Sequence, residues 1–303
     1  MKRSVALIVL AGLLWGTSGL FAHYLSPYGF TPLELVGCRA LISFVAMAVY
    51  ALIFDRALFR VRPRELPLLL LVGLGIFGTA SLYYIAMAMT SVSTAVMLMY
   101  TAPLYVLFLS FFFLGERLSR GKLLAVLLML LGCCLVSGII GDLRFDVLGL
   151  LAGAASGVTY AVYNLLVKLS VRRGNDPVAV SMYAFLAMTL AALPFIRFRE
   201  LGAHLAARPA VTVPLAIGIG ICTCVLPYFL YTLAMRRLSA GTATALGIVE
   251  PMSATVYSCL FLGEALDLLT GAGILLVLLS VLLLSRAEGG DNEKKTKEKP
   301  HDA

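Results

Sequence analysis

The chain has 303 residues, 61% hydrophobic and 13% charged, with a mean hydropathy of +0.97 and a formal net charge of +8. That leaves too little polar surface to cover a water-soluble globule, so the chain reads as an all-α integral membrane protein built from apolar spans of about 20 residues. Its six cysteines (Cys38, Cys133, Cys134, Cys222, Cys224, Cys259) lie inside apolar runs without zinc-ligand or redox-pair spacing, so they read as small apolar residues and no metal is expected.

Met1-Lys2-Arg3 followed by the apolar run 5–22 resembles a signal peptide. The run is too long for one and leads into His23-Tyr24 without a small-x-small cleavage site, so it is expected to stay as the first span. Breaking the remaining apolar runs at charged, proline and glycine joints gives ten spans in all: 5–23, 33–54, 66–88, 92–114, 121–140, 147–168, 178–196, 211–234, 240–262 and 268–285. An even count puts both termini on one side. Fifteen Lys and Arg, among them Arg60, Arg117, Arg172 and Arg236, fall on that side against Arg144, Arg197, Arg199 and Arg208 on the other, which makes it the cytoplasmic side. The 196–210 connection, with three arginines and His204, is the joint where a missed break would change the count. Residues 287–303 are polar, without apolar periodicity, and read as a disordered cytosolic tail.

One stretch is written twice. Shifting residues 83–118 by 148 positions lays them without a gap on 231–266, with 14 identities in 36 positions. Chance Leu and Ala matches are expected in apolar sequence, so the weight rests on Pro103/Pro251 and on Leu114-Gly115-Glu116 with Leu262-Gly263-Glu264. Each half then holds five spans, an odd number, so the second half enters the membrane upside down. The charges agree: Arg117, Arg120 and Lys122 follow the first copy, whereas Asp267 follows the second. Two inverted five-helix halves, residues 1–146 and 147–286, are the arrangement of many secondary transporters.

The fifth and tenth spans are almost unbroken Leu and Val and belong against lipid or a second copy of the chain. Hydroxyls, amides and aromatic rings concentrate in the first, third, fourth, sixth, eighth and ninth spans and point to a central wet cavity. Tyr160, Asn164 and Lys168 form one stripe of the sixth span, with Tyr163 beside it, opposite a close-packing face of Gly149, Gly153 and Gly157. The substrate path is expected to be lined by Trp15, Tyr83, Tyr100, Tyr160, Tyr163, Asn164, Tyr228 and Tyr231, since rings with polar tips suit amphipathic solutes. Lys168 alone reads more readily as snorkelling to the cytosolic surface. Pro103, Pro227 and Pro251 cannot donate to the carbonyls of Met99, Thr223 and Gly247, so each is expected to expose an acceptor and bend its helix, as a hinge or as a static kink. Gly73-Leu74-Gly75-Ile76-Phe77-Gly78 satisfies the dinucleotide pattern GxGxxG but lies inside an apolar run, where it reads as a packing face.

Two charges stand out at membrane depth. Arg39, about six residues into the second span, is read as structural, snorkelling outward or pairing with a carboxylate across the bundle; binding a substrate carboxylate is the alternative. Glu250 is the one acid near the middle of a span, where an ionised carboxylate costs roughly 2.5 to 3.5 kcal/mol on an insertion scale. It is read as a proton- or cation-coupling group, or else as a packing residue held by Arg39 or tyrosine hydroxyls. Its counterpart in the first copy is Ala102, so the site is asymmetric.

Trp15-Gly16 in the first helix, Arg39 early in the second, and Pro followed about a dozen residues later by Leu-Gly-Glu in both halves resemble the EamA type of the drug/metabolite transporter superfamily. The resemblance covers residues 5–285. It implies an inner-membrane secondary carrier working by alternating access, most often an exporter of amino acids, related metabolites or amphipathic compounds; no cofactor and no nucleic acid partner are expected. Tyr160 or Tyr163 stands where the family commonly has Trp. An intramembrane enzyme would need a nucleophile and base or a metal set, yet the histidines are His23, His204 and His301 and no HExxH occurs. A channel or lipid scramblase would want a continuous polar stripe, and none is visible.

Overall fold

A computed structural model describes residues 2–90, 92–116, 118–137, 146–263 and 268–297. Arg117, Arg144 and Asp267, used above for orientation, Glu264 of the second repeated triplet, and residues 298–303 of the expected tail lie outside these residues. The described chain is all helical. It runs α1 (Lys2–Gly16), α2 (Ser18–Leu25), α3 (Pro32–Phe54), α4 (Leu66–Met89), α5 (Val92–Met99), α6 (Ala102–Leu114), α7 (Arg120–Ser137), α8 (Val147–Arg172), α9 (Pro177–Ala192), α10 (Phe198–Ala207), α11 (Pro209–Gly220), α12 (Leu226–Ala234), α13 (Ala240–Leu246), α14 (Val249–Leu262) and α15 (Leu268–Lys297). Nine described segments are long and apolar enough to cross a membrane. The fifth expected span is α7, which ends at Ser137, where the described residues stop.

Four expected spans are broken rather than continuous. The first changes helix at Thr17, whose hydroxyl turns back onto the Leu14 carbonyl at 2.6 Å. The fourth breaks at Tyr100-Thr101 and the ninth at Gly247-Ile248, one residue from equivalent positions in the duplicated stretch. In the eighth, a π segment at Ile221–Val225 precedes Pro227 at the start of α12, the usual company of a bend. The expectation of an open acceptor at Gly247 is corrected: its carbonyl takes the N–H of Glu250 at 2.9 Å, because the break tightens the backbone into i to i+3 bonds.

Residues 287–297, expected to be disordered, continue α15 as helix. Extending an existing helix costs far less than nucleating one, and Glu and Lys are good helix formers. The 196–210 connection contains α10, which buries Leu201 against Leu25, Phe30 and Ile219 and packs Leu205 beside them.

Caps and close approaches fix the bundle. Thr31 and Glu34 form a reciprocal capping box on α3, and Asp146, Asp176 and Ser239 accept N–H groups at the starts of α8, α9 and α13. Gly73 of the GxGxxG run is a packing residue: a Cβ there would sit 2.0 Å from the Ala184 carbonyl oxygen of α9, and one at Gly75 would sit 2.6 Å from Tyr163 Cβ of α8. Gly149, Gly153 and Gly157 likewise admit Met89, Thr90 and Leu98. The leucine-rich α7 and α15 meet each other through Gly132 and Gly273, leaving Leu124, Leu131, Leu279 and Leu282 on an apolar outer surface suited to lipid.

Both repeated glycines close a helix in the left-handed conformation, Gly115 at φ 61° after α6 and Gly263 at φ 72° after α14. Replacing Gly115 by Ala should cost about 1 kcal/mol and Gly73→Ala about 1 to 3 kcal/mol, while Gly202→Ala on the open face of α10 should be neutral or stabilising. Thermal unfolding of the three variants in detergent checks the ranking.

Candidate functional site

The helix breaks surround a cavity of about 680 Å³. Its walls come from α1 to α5 and from α8, α11, α12 and α14, together with Thr223 of the π segment and Val136 near the end of α7. The wall residues nearest the ends of the membrane-spanning segments, Ala22, Leu35, Met87, Val136 and Ser258, all lie at the end of the bundle away from Lys2. The cavity therefore occupies one half of the bundle.

Six of the eight expected aromatic and polar lining residues are there: Trp15, Tyr83, Tyr100, Tyr160, Tyr163 and Tyr228. Trp15 meets Tyr228 edge-on with centroids 5.3 Å apart, Tyr160 and Tyr163 stack at 5.2 Å, and Tyr100 meets Tyr160 at 6.2 Å. Tyr84, Thr79, Met99 and Arg39 also line it. Thr79 donates to the Thr159 hydroxyl at 3.1 Å, tying α4 to α8.

Asn164 and Tyr231 differ from the expectation. Both are fully buried beneath the cavity rather than lining it, because their polar atoms are consumed by one another. The Tyr231 hydroxyl donates to Asn164 Oδ1 and lies 3.2 Å from Thr244 Oγ1, while Asn164 Nδ2 donates to the Tyr160 carbonyl at 2.8 Å. One turn further, Lys168 does not reach the surface. It is buried and its ammonium donates to the carbonyls of Met235 and Leu238, the groups left over where α12 ends. The stripe read from the sequence is real, but only its Tyr160 end faces the cavity.

Beyond Lys168, the Glu116 carboxylate is 5% exposed and accepts the Ala240 N–H with both oxygens, at 3.0 and 2.9 Å, capping α13 from the other half of the chain. Arg172 completes it at 3.3 Å. This is what the first Leu-Gly-Glu triplet does: the left-handed glycine ends α6 and turns the next side chain onto a neighbouring helix N-terminus. The sequence flagged the motif without its role. The capping box at Thr31-Pro32-Leu33-Glu34 was equally legible as T-x-x-E.

Glu250 lies in the first turn of α14, immediately after one break, and Tyr100 lies in the other. The Tyr100 hydroxyl donates to Glu250 Oε2 at 2.7 Å, so the two interruptions are joined across the cavity wall. Pro251 lines the cavity beside Glu250, while Pro103 is buried and is not among the lining residues. Arg39 also faces the cavity and is not ion-paired with Glu250; its Nε is buried without a hydrogen-bond partner. The expected pairing of Arg39 with a carboxylate is thus not made here, because Glu250 is turned to Tyr100 and Glu34 to Thr31. At the far end of the bundle Glu34 Oε2 lies 3.5 Å from His204 Nδ1, and Gly29, at φ 90°, makes room for that imidazole.

The sequence pattern of the EamA-like transporter family matches residues 2–138 and again 147–286. A protein of Archaeoglobus fulgidus named only as an uncharacterized transporter is 30% identical over 289 residues, covering 94% of this chain and 97% of that one. A probable terminal-alkyne amino-acid exporter of Streptantibioticus cattleyicolor is 25% identical, with 94% of each chain covered. A solved crystal structure superposes with a TM-score of 0.78 over 95% of this chain and 98% of its own at 20% identity, a likeness of fold alone.

Tyr231→Phe removes a buried donor and leaves Asn164 Oδ1 without it, so unfolding should become easier by about 1 to 3 kcal/mol. Comparing that variant with Tyr228→Phe in thermal unfolding tests the assignment of Tyr231 to a sealed layer rather than a wet wall.

Proposed function

From its membership of the EamA-like transporter family, which makes it a multi-pass membrane transporter and not an enzyme, we propose that this chain is a secondary carrier exporting amino acids or related amphipathic metabolites by alternating access. The observation that carries the reading is the Tyr100–Glu250 hydrogen bond, which puts the one carboxylate on the cavity wall at the junction of two broken helices. The exporter named among the relatives supports the direction and the substrate class.

In this reading the chain crosses the inner membrane ten times as two inverted five-helix repeats with both ends in the cytoplasm. Contacts between helix ends support the count. Glu65 meets Arg173 and Asn175, Glu116 meets Arg172, and Asp176 meets Arg236, all at one end; Glu34 meets His204 at the other. The cationic end takes the cytoplasmic side. The cavity then faces outward, and Asn164, Tyr231, Thr244, Lys168 and Glu116 form the layer that closes it from the cytosol.

Transport requires that layer to part and an equivalent one to form outside. Pro103, Pro227 and Pro251 serve as hinges, each lying within three residues of a backbone irregularity. Glu250 is the coupling group: it takes a proton from one side and releases it to the other as Tyr100 and Pro251 move with their helices. Trp15, Tyr83, Tyr100, Tyr160, Tyr163 and Tyr228 hold the solute, while Asn164 and Tyr231 act as the gate beneath it.

Proteoliposome flux tests the carrier reading. Glu250→Gln keeps shape and hydrogen bonding but not charge, so substrate exchange should persist while transport driven by a pH gradient falls by an order of magnitude or more. Undiminished gradient-driven transport would end the coupling assignment. For topology, cysteines placed one at a time on a background lacking the six native thiols should react with an impermeant reagent on intact cells at Gly202→Cys and not at Ala57→Cys.

A further inference from the structure

We propose that Arg39 is the receptor for a substrate carboxylate, its guanidinium taking the anion in a fork while the aromatic wall takes the body of the solute. The inference rests on the carrier reading and gives it a substrate class: small carboxylic acids, amino acids among them, as against simple amines or sugars.

A guanidinium stays charged at any working pH, and at membrane depth it is stable only beside an anion or water. Arg39 has neither acid within reach as a partner. Glu250, on the same cavity, gives an oxygen to Tyr100 at 2.7 Å, and Glu34, five residues back on α3, accepts from Thr31 N–H at 2.9 Å and its hydroxyl at 3.0 Å. Its other neighbours, Tyr84 and Tyr228 on the same wall and Cys224, are phenols and a thiol rather than carboxylates. Its Nε is shielded from solvent and unpartnered, whereas the residue as a whole is only partly covered and lines the cavity. No ion pair to a protein carboxylate is formed by Arg39 among the described residues, and a substrate carboxylate supplies both the opposite charge and two acceptors in the plane of the fork.

The base of the side chain is held rigidly, as recognition demands. The Ser43 hydroxyl bridges the carbonyls of Arg39 and Gly220, and a Cβ at Gly220 would lie 2.5 Å from Ile42 Cγ2, so α3 and the end of α11 are in direct contact at this level. The cavity of about 680 Å³ is within the range of small-molecule sites, and Trp15, Tyr84 and Tyr228 give it the apolar rings that an amphipathic body needs.

Trp15 is the chain's one tryptophan and lines the same cavity, so its emission reports occupancy. The full chain in lipid nanodiscs is titrated with L-phenylalanine, 3-phenylpropionate, L-phenylalanine methyl ester and phenethylamine, with Trp15→Phe as the blank. The two free acids should shift the emission saturably, and the ester and amine should need concentrations about tenfold or more higher. Arg39→Lys should weaken the acids about tenfold, and Arg39→Gln should abolish their signal in protein that remains monodisperse. Should the Arg39 variants misfold, the comparison of acid with ester on the unaltered chain still decides. Equal binding of acid and ester, binding of the amine alone, or no response to either acid overturns the proposal. Gradient-driven flux of phenethylamine in proteoliposomes alongside any of those results would leave the carrier reading standing while this one falls.

Discussion

The hydrogen bond from Tyr100 to Glu250 is the contact on which the centre of the molecule depends. A carboxylate in an apolar bundle must be hydrogen-bonded or wet, and here one oxygen takes a tyrosine hydroxyl while the residue faces a cavity. The bond also explains the broken helices. Had the ninth span run straight through Gly247-Ile248, the direction of Glu250 would be set by the helix below it; the break lets α14 start afresh and aim its first turn at Tyr100. The backbone groups released at both breaks are mostly recaptured by i to i+3 bonds, such as Thr101 N–H to Leu98 and Ile248 N–H to Ala245, so irregularity at this depth costs little.

Duplication supplied the frame and substitution then made it unequal. The two left-handed glycines recur at matching positions and the two breaks fall within one residue of matching ones, since backbone geometry tolerates few alternatives at a helix end. The side chains at the breaks are free to differ: Ala102 answers Glu250, and Ile248 answers Tyr100. One copy therefore contributes the hydroxyl and the other the acid. Neither half contains the pair.

How much of this was legible in the sequence follows from what each signal measures. Apolar runs locate helices well, because the bilayer sets their length, and nine described segments are long and apolar enough to cross it. They are blind to breaks inside a run, since Tyr100-Thr101 and Gly247-Ile248 are as apolar or as small as their surroundings. Helical spacing found the Tyr160, Asn164, Lys168 stripe, but spacing gives direction and not depth, so it could not place the cavity floor between the first two members. Arg39 was visible as a charge in a span, while the absence of a partner for its Nε depends on where Glu250 and Glu34 turn, which only the fold decides. The role of Glu116 was hidden for the same reason: its partners are 56 and 124 residues away in the chain.

That separation bears on how the protein is made. Glu116 is synthesised well before Arg172 and the Ala240 N–H that will hold its carboxylate, so during translation that carboxylate must remain hydrated. The first half thus waits with an unfinished bond at its edge, and burial of that acid marks the moment the second half docks. Quality control that reads exposed polar groups in half-made membrane proteins would find its signal here, and would lose it when α13 arrives.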